Sequence, residues 1–223
     1  KDKLLKKIKD HIDLNEAKKN YKNIESVIHL LSNEKILIFI SSGRVYTLDP
    51  NVLPSGNANP KSFIYFIDSG TNEKMINIIL PKKNHKCVLV SSNGKGFISK
   101  TVNLISNQKK GKQIINLKDA DQLIKVIKCN KSHIAITNKL GKLLIFNIDS
   151  IPTLNKGSGV QLIKIKNKDQ VSDIQLINVS EGITWQTGSK IRTLNNIDFW
   201  IGKRSQVGKK VPKYFNKNKK FYE

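Results

Sequence analysis

Little in this sequence can hold a metal ion, a disulfide framework or a membrane. Cysteine occurs only at 87 and 129, with no paired spacing. That excludes a disulfide scaffold and a thiolate metal site, and it suits a reducing compartment. His11, His29, His85 and His133 are scattered without an HxxxH pair, so no metal site is expected. Asp10 and Asp13 flank His11, which reads as a solvated strand end rather than an acid–base pair. No apolar run approaches the ~20 residues that cross a bilayer. The opening stretch KDKLLKKIKD lacks the apolar core of a signal peptide. Gly94-Lys95-Gly96 stops short of both a dinucleotide fingerprint and a P-loop. No residues supply the acid, base or nucleophile of an enzyme, so none is expected to be catalytic.

Acidic residues are also scarce. The 223 residues hold 40 Lys and Arg against 17 Asp and Glu, a formal net charge of +23. Arginine stands only at 44, 192 and 204, so the charge is almost all lysine. A field of this sign draws polyanions. An AT-rich genome would raise Lys, Asn and Ile together, but it would not account for so few carboxylates. Aromatics make up 7% of the chain, and the apolar residues are mostly Ile, Leu and Val, which favour strands.

What is abundant is repetition. Four segments share one pattern: KILIFISSGRVYTLD (35–49), KCVLVSSNGKGFISK (86–100), SHIAITNKLGKLLIFNID (132–149) and GITWQTGSKIRTLNNID (182–198). Each has a β-branched run, a polar turn with glycine and a second apolar run, the signature of a β-hairpin. The turn glycines Gly43, Gly94, Gly141 and Gly188 are 51, 47 and 47 residues apart. That period suits a propeller-like array of about four strands per blade. Further strands are expected at 62–68, 75–81, 112–117, 123–128, 160–166 and 173–179. The stretches 1–19 and 24–32 have partial helical spacing but are read as strand, with 3–14 the remnant of an earlier blade. The chain opens without Met inside such a strand, so it is expected to be a fragment of a longer protein. Residues 1–210 are expected to form the repeat domain, and the basic tail 211–223 to be loosely ordered. Tyr46, Trp185 and Trp200 read as core.

Three loops in the later periods combine glycine with Lys or Arg. They are Asn107-Gln108-Lys109-Lys110-Gly111-Lys112, Asn155-Lys156-Gly157-Ser158-Gly159, and Gly202 to Lys210 with Lys203, Arg204, Lys209 and Lys210. Glycine lets the backbone approach a partner closely. Its N–H groups and the flanking ammonium groups can both meet phosphate oxygens. Lysine acts there as a point charge without base preference. The candidate phosphate-contacting residues, which are the DNA-binding residues if the polyanion is DNA, are Lys109, Lys110, Gly111, Lys112, Lys156, Gly157, Lys203, Arg204, Lys209 and Lys210, with Arg44 and Lys95 from the hairpin turns. Each loop alone also reads as an ordinary solvated turn; the recurrence is what marks the set.

These stretches resemble the C-terminal domain of the DNA topoisomerase IV A subunit, a relative of the gyrase A C-terminal domain. The resemblance rests on SSGRVYTLDPNVLPSG (41–56), SSNGKGFISKTVNLISNQKKGKQIINL (91–117) and GKLLIFNIDSIPTLNKGSGVQLIKI (141–165), and it runs from about residue 9 to 210. It implies an all-β fold, a β-pinwheel of about five strand-swapped blades with the first incomplete, and duplex DNA bent around a basic outer edge. Gyrase carries the box Gln-Arg-Arg-Gly-Gly-Lys-Gly. Gln108-Lys109-Lys110-Gly111-Lys112 lacks its second and final glycines, which argues for bending without full wrapping. The resemblance further implies partners in duplex DNA, the rest of the A subunit, plus an ATPase B subunit, in a cytoplasmic, nucleoid-associated enzyme. The catalytic Tyr, ATP and Mg would act elsewhere, with no cofactor in this domain. A gyrase-like wrapping domain and a protein-interaction propeller are the alternatives.

Overall fold

The computed structural model describes residues 3–8, 11–21, 23–70, 72–118, 120–166 and 169–222. Sixteen strands follow in order: β1 (Leu4–Leu5), β2 (Ile36–Ile40), β3 (Arg44–Leu48), β4 (Lys61–Ser62), β5 (Met75–Ile79), β6 (Lys86–Ser91), β7 (Lys95–Lys100), β8 (Lys112–Gln113), β9 (Leu123–Lys128), β10 (His133–Asn138), β11 (Lys142–Asn147), β12 (Val160–Gln161), β13 (Val171–Ile177), β14 (Ile183–Thr187), β15 (Lys190–Leu194) and β16 (Lys209–Lys210). The four expected hairpins are β2–β3, β6–β7, β10–β11 and β14–β15, each antiparallel across its glycine turn.

The strands form three four-stranded sheets, β5-β2-β3-β8, β9-β6-β7-β12 and β13-β10-β11-β16, and two two-stranded sheets, β1-β4 and β14-β15. The fourth strand of each full sheet comes from the next repeat. Thus Gln113 pairs with Arg44, Gln161 with Lys95, and Lys210 with Lys142. The same exchange joins Lys61 to Leu5, so β4 pairs with β1 as β8 pairs with β3.

Alternation along the strands explains the stacking. Side chains of a strand point to opposite faces in turn. Ile36, Ile38 and Ile40 enter one apolar cluster, while Leu37 and Phe39 enter the next. Cys87 and Leu89 share that second cluster, and Val88 and Val90 face a third. Leu144 and Phe146 reach the third; Leu143 and Ile145 reach a fourth with Trp185. Four cores therefore separate five sheets, and the middle strands are apolar without interruption because both faces are covered. At the edge opposite the exchanged strands, neighbouring sheets are bolted by polar links. The Asn77 side chain donates to the Val126 carbonyl at 2.7 Å, Lys125 pairs with Asp173 at 2.7 Å, and Gln175 donates to the Thr184 carbonyl at 3.1 Å.

Several expectations are corrected. The stretch 62–68 is not a strand: after β4 the chain turns through a 3-10 helix, Phe63–Phe66, that buries Phe63 and leaves Tyr65 78% exposed. At 112–117 and 160–166 only two residues pair as strand. Two residues suffice to close the neighbour's sheet, and the chain must then cross back. Ile114, Ile115, Leu162 and Ile163 are apolar because that crossing is buried between sheets. Residues 24–32 form no regular element, since no strand receives them. Leu14–Asn20 is an α-helix, capped by the Asp13 carboxylate accepting the Glu16 N–H at 2.8 Å, and it buries Ala17.

The tail is not loose. Phe215 and Phe221 pack edge to face at 5.5 Å, and Phe215 lies 5.3 Å from Trp185. The Gln186 N–H donates to the Phe221 carbonyl at 2.6 Å, on the β14 side that β5, β9 and β13 take in the other sheets. The tail thus takes the place beside β14 that a fourth-repeat counterpart of those strands would take. The apolar area of three aromatic rings offsets the cost of ordering a short segment.

Candidate nucleic-acid interface

The exchanged strands position the Gly-Lys loops. Gly111, Gly159 and Gly208 each precede an exchanged strand, 48 and 49 residues apart, with φ of 65°, 70° and 79°. A Cβ on them would stand 2.8, 2.5 and 2.6 Å from the carbonyl oxygens of Val45, Gly96 and Leu143 on the receiving hairpins. Only glycine lets the chain turn left-handed and press this close. Of the two glycines in the second loop, Gly159 rather than Gly157 is the counterpart of Gly111 in the fold.

Beyond each exchanged strand the chain meets the following loop. The Gly157 N–H donates to the Ile114 carbonyl at 3.1 Å, and Asn116 N–H to the Gly157 carbonyl at 2.9 Å. One repeat on, Ser205 N–H donates to the Leu162 carbonyl at 2.8 Å and Lys164 N–H to the Gln206 carbonyl at 2.9 Å. The three loops are therefore stitched into one edge. The N–H of Gly111 is also spoken for, by the Gln108 carbonyl at 2.9 Å. Phosphate binding by the N–H groups of Gly111 and Gly157 is thereby disfavoured, which leaves side chains as the donors.

Lys95, Lys109, Lys110, Lys156, Lys203, Lys209 and Lys210 are exposed on this edge, and Lys112 is half-buried with its ammonium 2.9 Å from the Asn103 carbonyl. None of them forms an ion pair with a described residue. Lys209 lies 4.1 Å over the exposed Phe199 ring, which turns edge-on to Trp200 at 5.1 Å. Trp200, half-buried, donates to the Lys210 carbonyl at 2.8 Å.

The arginines behave differently. Arg44 Nη1 donates to the Lys110 carbonyl at 2.6 Å and reaches the Gly111 carbonyl at 3.4 Å. Arg204 donates from Nε to the Ser150 carbonyl at 3.1 Å and from Nη1 to the Gln161 carbonyl at 2.7 Å.

Residues missed from sequence include Gln113 and Gln161. The Gln113 amide donates to the Ser42 and Ile115 carbonyls at 2.9 and 2.7 Å; the Gln161 amide donates to those of Asn93 and Ile163 at 3.0 and 2.7 Å. The shared pattern Gly-x-Gln, at Gly111 and Gly159, was the available signal. Lys142 was also missed; it pairs across from Lys210 and adds charge to the edge. Tyr46 is buried, its hydroxyl donating to the Asp68 carbonyl at 2.8 Å, and burial holds its pKa above the usual phenol value. His11 and His29 stack with Nδ1 atoms 3.4 Å apart; Asp10 lies outside the described residues. Among the described residues no three His, Cys, Asp or Glu gather as a metal site, and no helix is long and apolar enough to cross a membrane.

A stack of sheets in which each full sheet is closed by a strand from the next repeat is the β-pinwheel form of the propeller. A family model described as DNA gyrase C-terminal domain, beta-propeller, matches residues 85–130 and 132–178. The A subunit of DNA topoisomerase 4 from Rickettsia bellii is 36% identical over 195 residues, 87% of this chain and 26% of that protein. The Caulobacter vibrioides protein of the same name is 30% identical over 191 residues, 85% of this chain and 25% of its own length. The chain thus spans about a quarter of the relatives it matches. The solved E. coli ParC C-terminal domain superposes with a TM-score of 0.76 at 20% identity, covering 89% of this chain and 85% of that one. A C-terminal domain of DNA topoisomerase IV gives 0.71 at 17%, covering 80% and 58%. The chain belongs to the family of C-terminal domains of the DNA topoisomerase IV A subunit, which is akin to the gyrase A C-terminal domain.

Proposed function

We propose that this domain binds duplex DNA along the stitched Gly-Lys edge and bends it, helping a topoisomerase IV select its DNA substrate for decatenation and supercoil relaxation in chromosome segregation. The observation that carries this reading is the continuity of the edge: the crossing that follows each of the first two loops hydrogen-bonds to the next loop, and the edge lysines have no ion-pair partner among the described residues. Lys95, Lys109, Lys110, Lys112, Lys156, Lys203, Lys209 and Lys210 meet phosphates as point charges, so binding is indifferent to sequence. Arg44, Gly111, Gly157 and Arg204 belong to the same edge. Bending rather than full wrapping follows from the shortened box at Gln108–Lys112. The catalytic tyrosine, ATP hydrolysis and Mg belong to the rest of the enzyme. That enzyme works at the nucleoid and includes an ATPase B subunit besides the remainder of the A subunit; this domain needs no cofactor.

Binding of a duplex to the chain is measured against salt. Counterion release gives log K a slope of about −0.9 per phosphate neutralised. Lys109→Gln with Lys110→Gln and Lys156→Gln is expected to make the slope shallower by about 0.9 for each phosphate no longer neutralised. A duplex affinity that does not change with salt sinks the reading. Binding governed instead by apolar substitutions on a sheet face would favour a protein-interaction propeller.

A further inference from the structure

All three arginines of this chain join segments far apart in sequence, whereas the edge lysines Lys95, Lys109, Lys110, Lys156, Lys203, Lys209 and Lys210 are exposed. Arg44 ties β3 to the carbonyls of Lys110 and Gly111, 66 and 67 residues away. Arg204 ties the third loop to Ser150 and to Gln161 on β12, 54 and 43 residues away. Arg192 lies 5.0 Å over the ring of Tyr214, linking β15 to the tail. A guanidinium is planar and holds several donors in a fixed fork, so Arg204 reaches two carbonyls at once. A cationic donor also makes the stronger hydrogen bond. An ammonium presents one compact head and cannot copy that geometry.

Resting on the duplex-binding reading, we infer that Arg44 and Arg204 are positioning residues of the DNA edge: they fasten the loops from behind, and the lysines alone touch phosphate. Arg44 fixes the carbonyls on which Lys110 and Lys112 are mounted. Arg204 locks the third loop onto the strand that carries Gln161, opposite Lys95. The fasteners set the curvature of the edge and hence the bend imposed on the duplex. The lysines set the electrostatic affinity. Arginine and lysine at adjacent positions thereby do different work, although both carry one positive charge.

The test compares three variants of the chain: R44K/R204K, R44Q/R204Q and K109Q/K110Q. Amide exchange at Gly111 and Ser205 is read without DNA; the salt slope and the end-to-end distance of a dye-labelled duplex are read with it. Both arginine variants are expected to speed exchange about tenfold and to reduce the bend, with the salt slope unchanged. Lysine at 44 and 204 is not expected to rescue either loss. K109Q/K110Q is expected to leave exchange alone and to lower the slope. The single variants R44K and R204K carry the same comparison should the double variant unfold. The proposal is overturned if R44K/R204K matches the parent in exchange and bending while R44Q/R204Q lowers the slope by about 0.9 per arginine, because the guanidiniums would then be phosphate contacts. If the parent chain binds no duplex, the duplex reading falls, and with it the bending role assigned to the arginines; exchange in the free chain still reports separately whether they fasten the loops.

Discussion

The carboxylate of Asp173 accepts the backbone N–H of Phe221 at 3.0 Å with one oxygen and holds the Lys125 ammonium at 2.7 Å with the other. One buried side chain on β13 thus joins the second sheet, the third sheet and the tail. Asp173→Ala removes the acceptor for both donors. A hydrogen bond to a charged group is worth about 1.5–3 kcal/mol. Counting one such bond, the thermal midpoint is expected to fall by roughly 3–12 °C, since 1 kcal/mol shifts a domain of this size by about 2–4 °C. An unchanged midpoint would show that Asp173 does not hold the three elements together.

The tail itself should be stabilising. Phe221 is 1% exposed and touches Phe215, which leans on Trp185. Phe221→Ala is expected to cost about 3–5 kcal/mol and to shift Trp185 emission to the red as water reaches the ring. Urea unfolding followed by fluorescence measures both. A tail that is merely decorative would leave the midpoint and the spectrum where they were.

Backbone shape before the exchanged strands gives a third expectation. An L-residue in the left-handed region costs about 1–2 kcal/mol. Gly188→Ala pays only this, because nothing lies within 4 Å of the new methyl group. Gly159→Ala must also push against the Gly96 backbone, an overpacking term of ~1–3 kcal/mol. Gly159→Ala is therefore expected to have the lower urea midpoint of the two, and equal midpoints would deny the close approach.

Neither thiol should react readily in the folded chain. Burial pushes Cys87 up to about 12 and Cys129 up to about 11. The thiolate is the reactive form, so at pH 8 both are almost fully protonated. Thiol reagents at that pH are expected to label the unfolded chain quickly and the folded chain slowly. Raising the pH toward 11 should bring in Cys129 first.

The hairpins are legible because two short β-branched apolar runs flank a polar turn with glycine, and the bounds 123–128 expected for a strand are those of Leu123–Lys128 in the structure. The exchanged strands are not. Two residues carry no period, and the buried crossings that follow, such as Ile114-Ile115, imitate longer strands. The backbone role of Gly159 is not legible, because Gly157 and Gly159 flank a single serine and either could precede the strand. The tail looked unstructured since Phe215 and Phe221 are spaced by Asn and Lys, and their partner Trp185 belongs to another element. The basic loops of the edge are legible from their recurrence along the sequence. The separate task of Arg44 and Arg204 is not, because it depends on carbonyls dozens of residues away.

Strand exchange also sets an order of assembly. Gln113 is made 69 residues after the Arg44 it pairs with, and Lys210 comes 68 residues after Lys142. As the chain leaves the ribosome, each sheet waits one strand short until the next repeat has been synthesised. Its open edge is meanwhile a template for the wrong partner. Non-local pairing of this kind slows folding. A ribosome stalled between repeats would hold a nascent chain whose last hairpin is complete in itself yet unable to close.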